Sequence, residues 1–210
     1  SMASRIEQDI GVSLTGTQEQ SNVIFGGVVD YVWFPWGIPR HPDSGYGASC
    51  RFALISPNNY TQLQQRVTIF HTGQKRNSKD VNSIWVGKLT TLEGYKLHKE
   101  KIEIAYRFRE ALRTLNWGEA IDATIEYCKI RTLLCPAYLD GAREILGFAN
   151  DKGCAAFPLG AGGGGATFIL APDPESLIAL KKDLTPVYRE IPINILPTGH
   201  KMLNLPIERR

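Results

Sequence analysis

Apolar and polar positions follow two rhythms along the chain, and the changes between them mark its elements. "VVDYVWF" (28–34), "RFALIS" (51–56) and "RVTIFHTG" (66–73) are short β-branched and aromatic runs, the pattern of strands. From Leu92 to about Asn116, Leu97, Ile104, Tyr106, Phe108, Leu112 and Leu115 recur at helical spacing among charged residues. Gly118 is expected to break that helix, and "EAIDATIEYCKIRTLL" (119–134) predicts a second. Pro136 is suited to open a third, "AYLDGAREILGFAND" (137–151), ended by Gly153. A strand (166–170), a helix (174–184) and a strand (189–196) complete the regular part. The start is less even. Residues 4–10 form a short polar helix, "SLTGTQEQSNVIFGG" (13–27) is a loop turning into a helix that Ser21 caps, and Pro35, Pro39 and Pro42 make 36–47 a loop.

Composition narrows the class. The 210 residues are 43% hydrophobic and 21% charged, an ordinary globular balance with length enough for a real core. A net charge of +3 gives no reason to expect a nucleic-acid partner or a charged membrane surface. No apolar stretch reaches the roughly 18 residues of a membrane helix, and no signal peptide is read at the start, where Ser-Met resembles a cloning remnant. Cys50, Cys128, Cys135 and Cys154 form neither a CxxC pair nor a disulfide framework, so a reducing, cytoplasmic setting is expected. His41, His71, His98 and His200 are scattered without ligand spacing, and no metal site is expected.

The strongest local feature is "FPLGAGGGGATFIL" (157–170), with five glycines in six positions. Such a run gives up packing and backbone entropy, so something must require the bare backbone. Gly160, Gly162 and Gly165 satisfy G-x-G-x-x-G, but a dinucleotide fingerprint must open a helix. Here a strand-like "ATFILAP" follows and no helix starts before Pro174. A phosphate-binding P-loop fails as well, because no Gly-Lys-Ser/Thr follows. What survives is a glycine turn between a helix and a strand. Its N–H groups either face a phosphate or another loop across a cleft, or pack against their own domain.

"PLGAGGGGATFIL", preceded by a helix and "NDKGCAAF", resembles the third motif of the GHMP kinases, the galactokinase, homoserine kinase, mevalonate kinase and phosphomevalonate kinase superfamily. "GTQEQSNVIFGGVVDYVWF" is similar to the Gly-x-Gln-Asp-Gln segment of its heptose and fucose kinase branch, and "FHTGQKRNSKDV" to that branch's Thr-Gly-x-x-Arg-x-Ser element. The resemblance implies an α+β fold: a C-terminal domain (63–210) with a ferredoxin-like sheet carrying helices on one face, and a remnant of the N-terminal domain (1–62). It also implies ATP-dependent phosphoryl transfer to a sugar or sugar phosphate, with Mg²⁺. The family's first motif and its Pro-x-x-x-Gly-Leu-Gly-Ser-Ser phosphate loop do not occur in the chain. The chain then corresponds to roughly the C-terminal 60% of such a kinase, as a truncated chain, a gene fragment or half of a split enzyme, and is expected to bind ATP weakly or not at all alone.

By the same resemblance Glu19 stands where the family has the aspartate beside the attacking hydroxyl. It is either a working base in a reset pocket or a degenerate site; phosphoryl transfer rests on positioning and charge neutralisation, so one methylene matters. Gly16, Gln18 and Gln20 would contact the sugar, and Arg76, with Lys75, either approaches substrate or forms a solvated basic turn. Gly160, Ala161, Gly162, Gly163, Gly164 and Gly165 would support the nucleotide's phosphate loop. Phe157, Pro158 and Leu159 replace the family's Lys-Leu-Ser or Lys-Leu-Thr. Trp33, Phe34 and Trp36 either stack on a sugar or pack a strand end. The competing class is a catalytically idle binding module on the same half-fold. The sugar, the hydroxyl phosphorylated and the oligomeric state are not legible.

Overall fold

Residues 27–33, 49–75 and 78–197 are described by the computed structural model. They gather into two compact units that divide between Pro57 and Asn58, the chain returning to the first unit at Ile195.

In the smaller unit β1 (Val29–Trp33) pairs antiparallel with β2 (Ser49–Ala53), Tyr31 opposite Arg51. Leu54 N donates to Val28 O at 2.9 Å, and the returning chain joins when Gly27 N donates to Leu196 O at 2.7 Å.

The larger unit carries the regular structure. A short α1 (Tyr60–Gln64) leads into β3 (Val67–His71), followed by α2 (Ser78–Leu89), α3 (Leu92–Arg113) and α4 (Trp117–Leu134). A 3₁₀ turn (Pro136–Leu139) and α5 (Arg143–Asp151) precede β4 (Ala155–Pro158) and β5 (Ala166–Leu170), then α6 (Pro174–Leu184) and β6 (Arg189–Ile191). The four strands form one antiparallel sheet in the order β4-β5-β3-β6. The α+β class is the one expected.

Period-two alternation decides what the sheet buries. Thr68 and Phe70 of β3, Thr167 and Ile169 of β5 and Ala156 and Pro158 of β4 point one way, and all are buried. Phe70, Ile169 and Ala156 join Ile145 and Ala149 of α5 and Leu177, Leu180 and Leu184 of α6 in one apolar core. On the opposite face Val67, Ala155 and Leu170 at one end are buried as well, while Ile69, Phe157 and Phe168 are half-buried.

Side-chain caps start three of the six described helices. Thr91 Oγ1 accepts from Gly94 N at 3.0 Å to start α3, Asn116 Oδ1 from Glu119 N at 3.2 Å to start α4, and Asp173 Oδ1 from Ser176 N at 2.7 Å to start α6. The break after α3 is not at Gly118, which lies inside α4, but at Leu115, which takes φ 57°. Asn116 N reaches back to Ala111 O at 2.8 Å, closing the helix in a Schellman turn with a leucine where glycine is usual. The helix expected over 137–151 is interrupted at Gly141 (φ 76°), so only its second half is α-helical. The final strand is shorter than 189–196 and ends at Ile191.

Candidate functional site

The glycine run is the turn of a β-hairpin. Phe157 pairs with Phe168 and Pro158 with Thr167, and Leu159 N donates to Ala166 O at 2.8 Å. A helix-to-strand connection was expected, and the correction is β4: "AAFP" is strand because β5 offers it a ladder, not because alanine favours strands.

Two contacts require glycine here. Gly162 has φ +83°, and a Cβ on it would strike the Tyr138 ring edge and stand 2.6 Å from Tyr138 O. Gly164, at φ +120°, would set a Cβ 3.2 Å from Gln74 O. The bare backbone therefore lets its own domain approach. The N–H groups expected to face outward turn inward in three cases: Gly162 N to Leu159 O (3.4 Å), Gly163 N to Tyr138 O (2.9 Å) and Gly165 N to Gln74 O (3.2 Å). Gly162 and Gly164 are buried, Ala161, Gly163 and Gly165 half-buried, and Gly160 at the tip is exposed.

Against this hairpin lies the turn after β3. Thr72 N donates to Gly165 O at 2.7 Å, while Gln74 N turns onto Thr72 Oγ1 at 3.3 Å and Gly73 N onto His71 Nδ1 at 3.0 Å. The Gln74 side chain sits where a Cβ on Gly141 (φ +76°) would be, 2.5 Å from its Oε1. Thus "HTGQ" and "GAGGGG", about ninety residues apart, share hydrogen bonds. Lys75 is exposed beside them. Arg76, and Gly16, Gln18, Glu19 and Gln20, lie outside the described residues, as do Phe34 and Trp36.

Beneath the hairpin stand two residues that sequence reading passed over. Tyr138 is 1% exposed and donates its hydroxyl to Pro158 O at 2.8 Å; burial pushes that hydroxyl far above its ordinary pKa. Arg131 stacks 4.6 Å from the Tyr138 ring centre and directs Nη2 at Gly160 O (3.4 Å) and Ala161 O (3.3 Å). A tyrosine and an arginine in a helical pattern carry no signal of this strut. Its parts meet only through the fold.

Phe157, one of the residues replacing the family's polar run, packs on Phe168 (ring centres 5.1 Å apart) and Tyr127 (6.4 Å), so this departure builds core. Cys128 lies in the same region, but burial holds its thiol up at about 11, protonated and unreactive at neutral pH. No group of three or more His, Cys, Asp or Glu among the described residues is placed to hold a metal, and none of their helices is long and apolar enough to cross a membrane.

No protein-family model matches the chain, and no curated protein matches it. Solved structures do. An L. major mevalonate kinase in complex with R-mevalonate superposes with TM-score 0.63 at 18% identity, over 85% of this chain and 51% of that one. A Campylobacter jejuni structure described as that of a candidate sugar kinase gives 0.59 at 18%, over 94% and 54%. The Streptococcus pneumoniae phosphomevalonate kinase gives 0.53 at 19%, over 60% and 38%. The chain spans about half the length of these structures or less. At such identities the likeness concerns the fold: this chain has the α+β architecture found in part of each of these structures.

Proposed function

We propose that this protein transfers the γ-phosphoryl group of ATP, with Mg²⁺, to a hydroxyl of a sugar or sugar phosphate, as a GHMP-type kinase of the heptose and fucose branch. Residues 63–210 are then the C-terminal domain of such a kinase, and residues 1–62 a remnant of the N-terminal one. Glu19 is the carboxylate beside the attacking hydroxyl, Gly16, Gln18, Gln20 and Arg76 hold the sugar, and residues 160–165 back the nucleotide's phosphate loop.

The observation that carries the reading is the meeting of "HTGQ" with the glycine hairpin, through Thr72 N to Gly165 O and Gly165 N to Gln74 O. Two segments that resemble family motifs are distant in sequence and adjacent in space. The hairpin's inward-turned amides change what it does. It presents a rigid edge, ending in exposed Gly160, rather than a cradle of free donors. Phosphate contacts then come chiefly from elsewhere, which fits weak nucleotide binding by this chain alone.

The test is ADP release from ATP and Mg²⁺ with this chain and any longer product of its gene, against a panel of sugars, sugar phosphates, mevalonate and phosphomevalonate. Glu19→Gln keeps size and removes charge, and general-base assistance is typically worth about 10² to 10⁴ in rate. A loss in that range with sugar affinity little changed supports the reading. Turnover on mevalonate alone moves the branch. No turnover on any acceptor leaves the idle binding module in its place.

A further inference from the structure

Three nitrogen-bearing side chains from two helices crowd around one indole of a third. Trp85 of α2 is approached by Lys101 of α3, whose Nζ lies 4.7 Å from the ring centre, and by Arg131 of α4, whose Cζ lies 5.5 Å from it. His98, one turn before Lys101 on α3, meets the same indole edge-on at 6.0 Å. The cluster stands behind the hairpin, which Arg131 touches through Gly160 O and Ala161 O.

Three of its nitrogens are buried without a hydrogen-bond partner among the described residues: Trp85 Nε1, His98 Nδ1 and Arg131 Nε. Arg131 is 9% exposed. Buried polar nitrogens are ordinarily paired, and each left alone costs about 1–3 kcal/mol. The charge is unbalanced as well. Among the described residues neither Lys101 nor Arg131 pairs with a carboxylate, although the described surface carries ion pairs such as Arg107 with Glu119 and Glu126 and Lys152 with Asp183. The charge acting on Lys101 is that of Arg131, and the charge acting on His98 is that of Lys101. Two cations share one indole, with no carboxylate of the described residues paired to either.

The aromatic faces of Trp85 and Tyr138 offset part of this, since a cation over a ring gains about 0.5–2 kcal/mol. They accept no hydrogen bond from Arg131 Nε or from Trp85's own N–H. A compact oxyanion does both, being rich in acceptors and negative.

We propose that Trp85, His98, Lys101 and Arg131 form a binding site for a phosphoryl dianion. Two cations match a charge of two, and the indole and Arg131 Nε–H groups are unpartnered donors beside them. The site adjoins the hairpin through Arg131 but uses none of the residues proposed above for nucleotide or sugar, and it stands whether or not the chain transfers phosphoryl groups. Its phosphoryl dianion comes either from inorganic phosphate or from a phosphomonoester.

The test is a titration of the ¹⁵N-labelled chain with inorganic phosphate at constant ionic strength in chloride, read at the Trp85 indole N–H. The expected result is a saturable shift at millimolar phosphate or below. Lys101→Met, which keeps the apolar stem, should weaken it at least tenfold. His98→Leu is a second variant that leaves Arg131 and the hairpin in place, and should weaken it less. Ribose 5-phosphate in place of phosphate separates the sources: tighter binding assigns a phosphorylated metabolite, equal or weaker binding the free ion. No saturable shift, or one unchanged in Lys101→Met, overturns the site and leaves a stack of cations on aromatic faces.

Discussion

Gly162→Ala measures how firmly the hairpin is seated. The substitution meets two costs that separate in this fold. One is conformational: a left-handed backbone costs an L-residue about 1–2 kcal/mol, partly offset by about 0.4–1 kcal/mol because alanine stiffens the unfolded chain. The other is steric. The new Cβ would stand 2.6 Å from Tyr138 O and strike the ring, and that ring cannot retreat: it is 1% exposed, bonded to Pro158 O and capped by Arg131. Forcing atoms into such a site costs about 1–3 kcal/mol. Gly153 supplies the control, since its φ is also positive (+67°) but a Cβ there meets nothing within 4 Å. Gly153→Ala should therefore lower stability by at most about 1.5 kcal/mol, and Gly162→Ala by about 2–4 kcal/mol. In a chain of this length that is roughly 4–16 °C in Tm, at about 2–4 °C per kcal/mol. Urea denaturation followed by circular dichroism gives both values. If the two variants agree within about 0.5 kcal/mol, a margin set by ordinary context effects, Tyr138 does not support the hairpin and glycine is there only for its backbone.

Two further changes probe neighbouring supports. Tyr138→Phe keeps the ring under Gly162 but leaves the carbonyl of Pro158 unpaired, and should destabilise by about 1–3 kcal/mol in the same assay; a neutral result would mean that water replaces the hydroxyl. Asp173→Asn keeps the cap of α6 but removes a charge. The backbone N–H and hydroxyl of Ser176 hold the Asp173 carboxyl below the usual carboxylate range, so its contribution is present at neutral pH and is lost as pH falls through the folded-state value. The variant should show a shallower loss of stability on acidification than the parent, and an unchanged acid limb would remove Asp173 from the account.

Whatever rests on local periodicity was legible. β1, β3, α3, α4 and α6 stand close to where their patterns put them, because a strand needs only alternation and a helix only its stripe and caps. α2 was not read: Ile84 and Val86 are exposed and blur the stripe that Val81 and Trp85 turn inward. β4 is two alanines, a phenylalanine and a proline, and only its register against β5 makes it a strand. The glycine run could be read as a turn but not as one that seats on Tyr138. Least legible was the cluster at Trp85, whose members lie up to 46 positions apart, between Trp85 and Arg131.

That convergence has a consequence no local pattern contains. Burial, and then the Arg131 charge, lower Lys101 to about 8, against about 10.4 for a free lysine. The groups facing its ammonium are Arg131 from α4, His98 from its own helix and the Trp85 ring from α2, and none of them is an acid. The folded state thus releases a proton that the unfolded chain keeps. Stability should rise with pH from about 8 towards about 10.4, where most proteins have no such gain. Lys101→Met should remove that rise, and Arg131→Gln should move the Lys101 midpoint upward by removing the like charge. The direct measurement is the Lys101 Cε shift against pH in a ¹³C-labelled chain. A midpoint near 10.4 would place the ammonium in open water and dissolve the cluster.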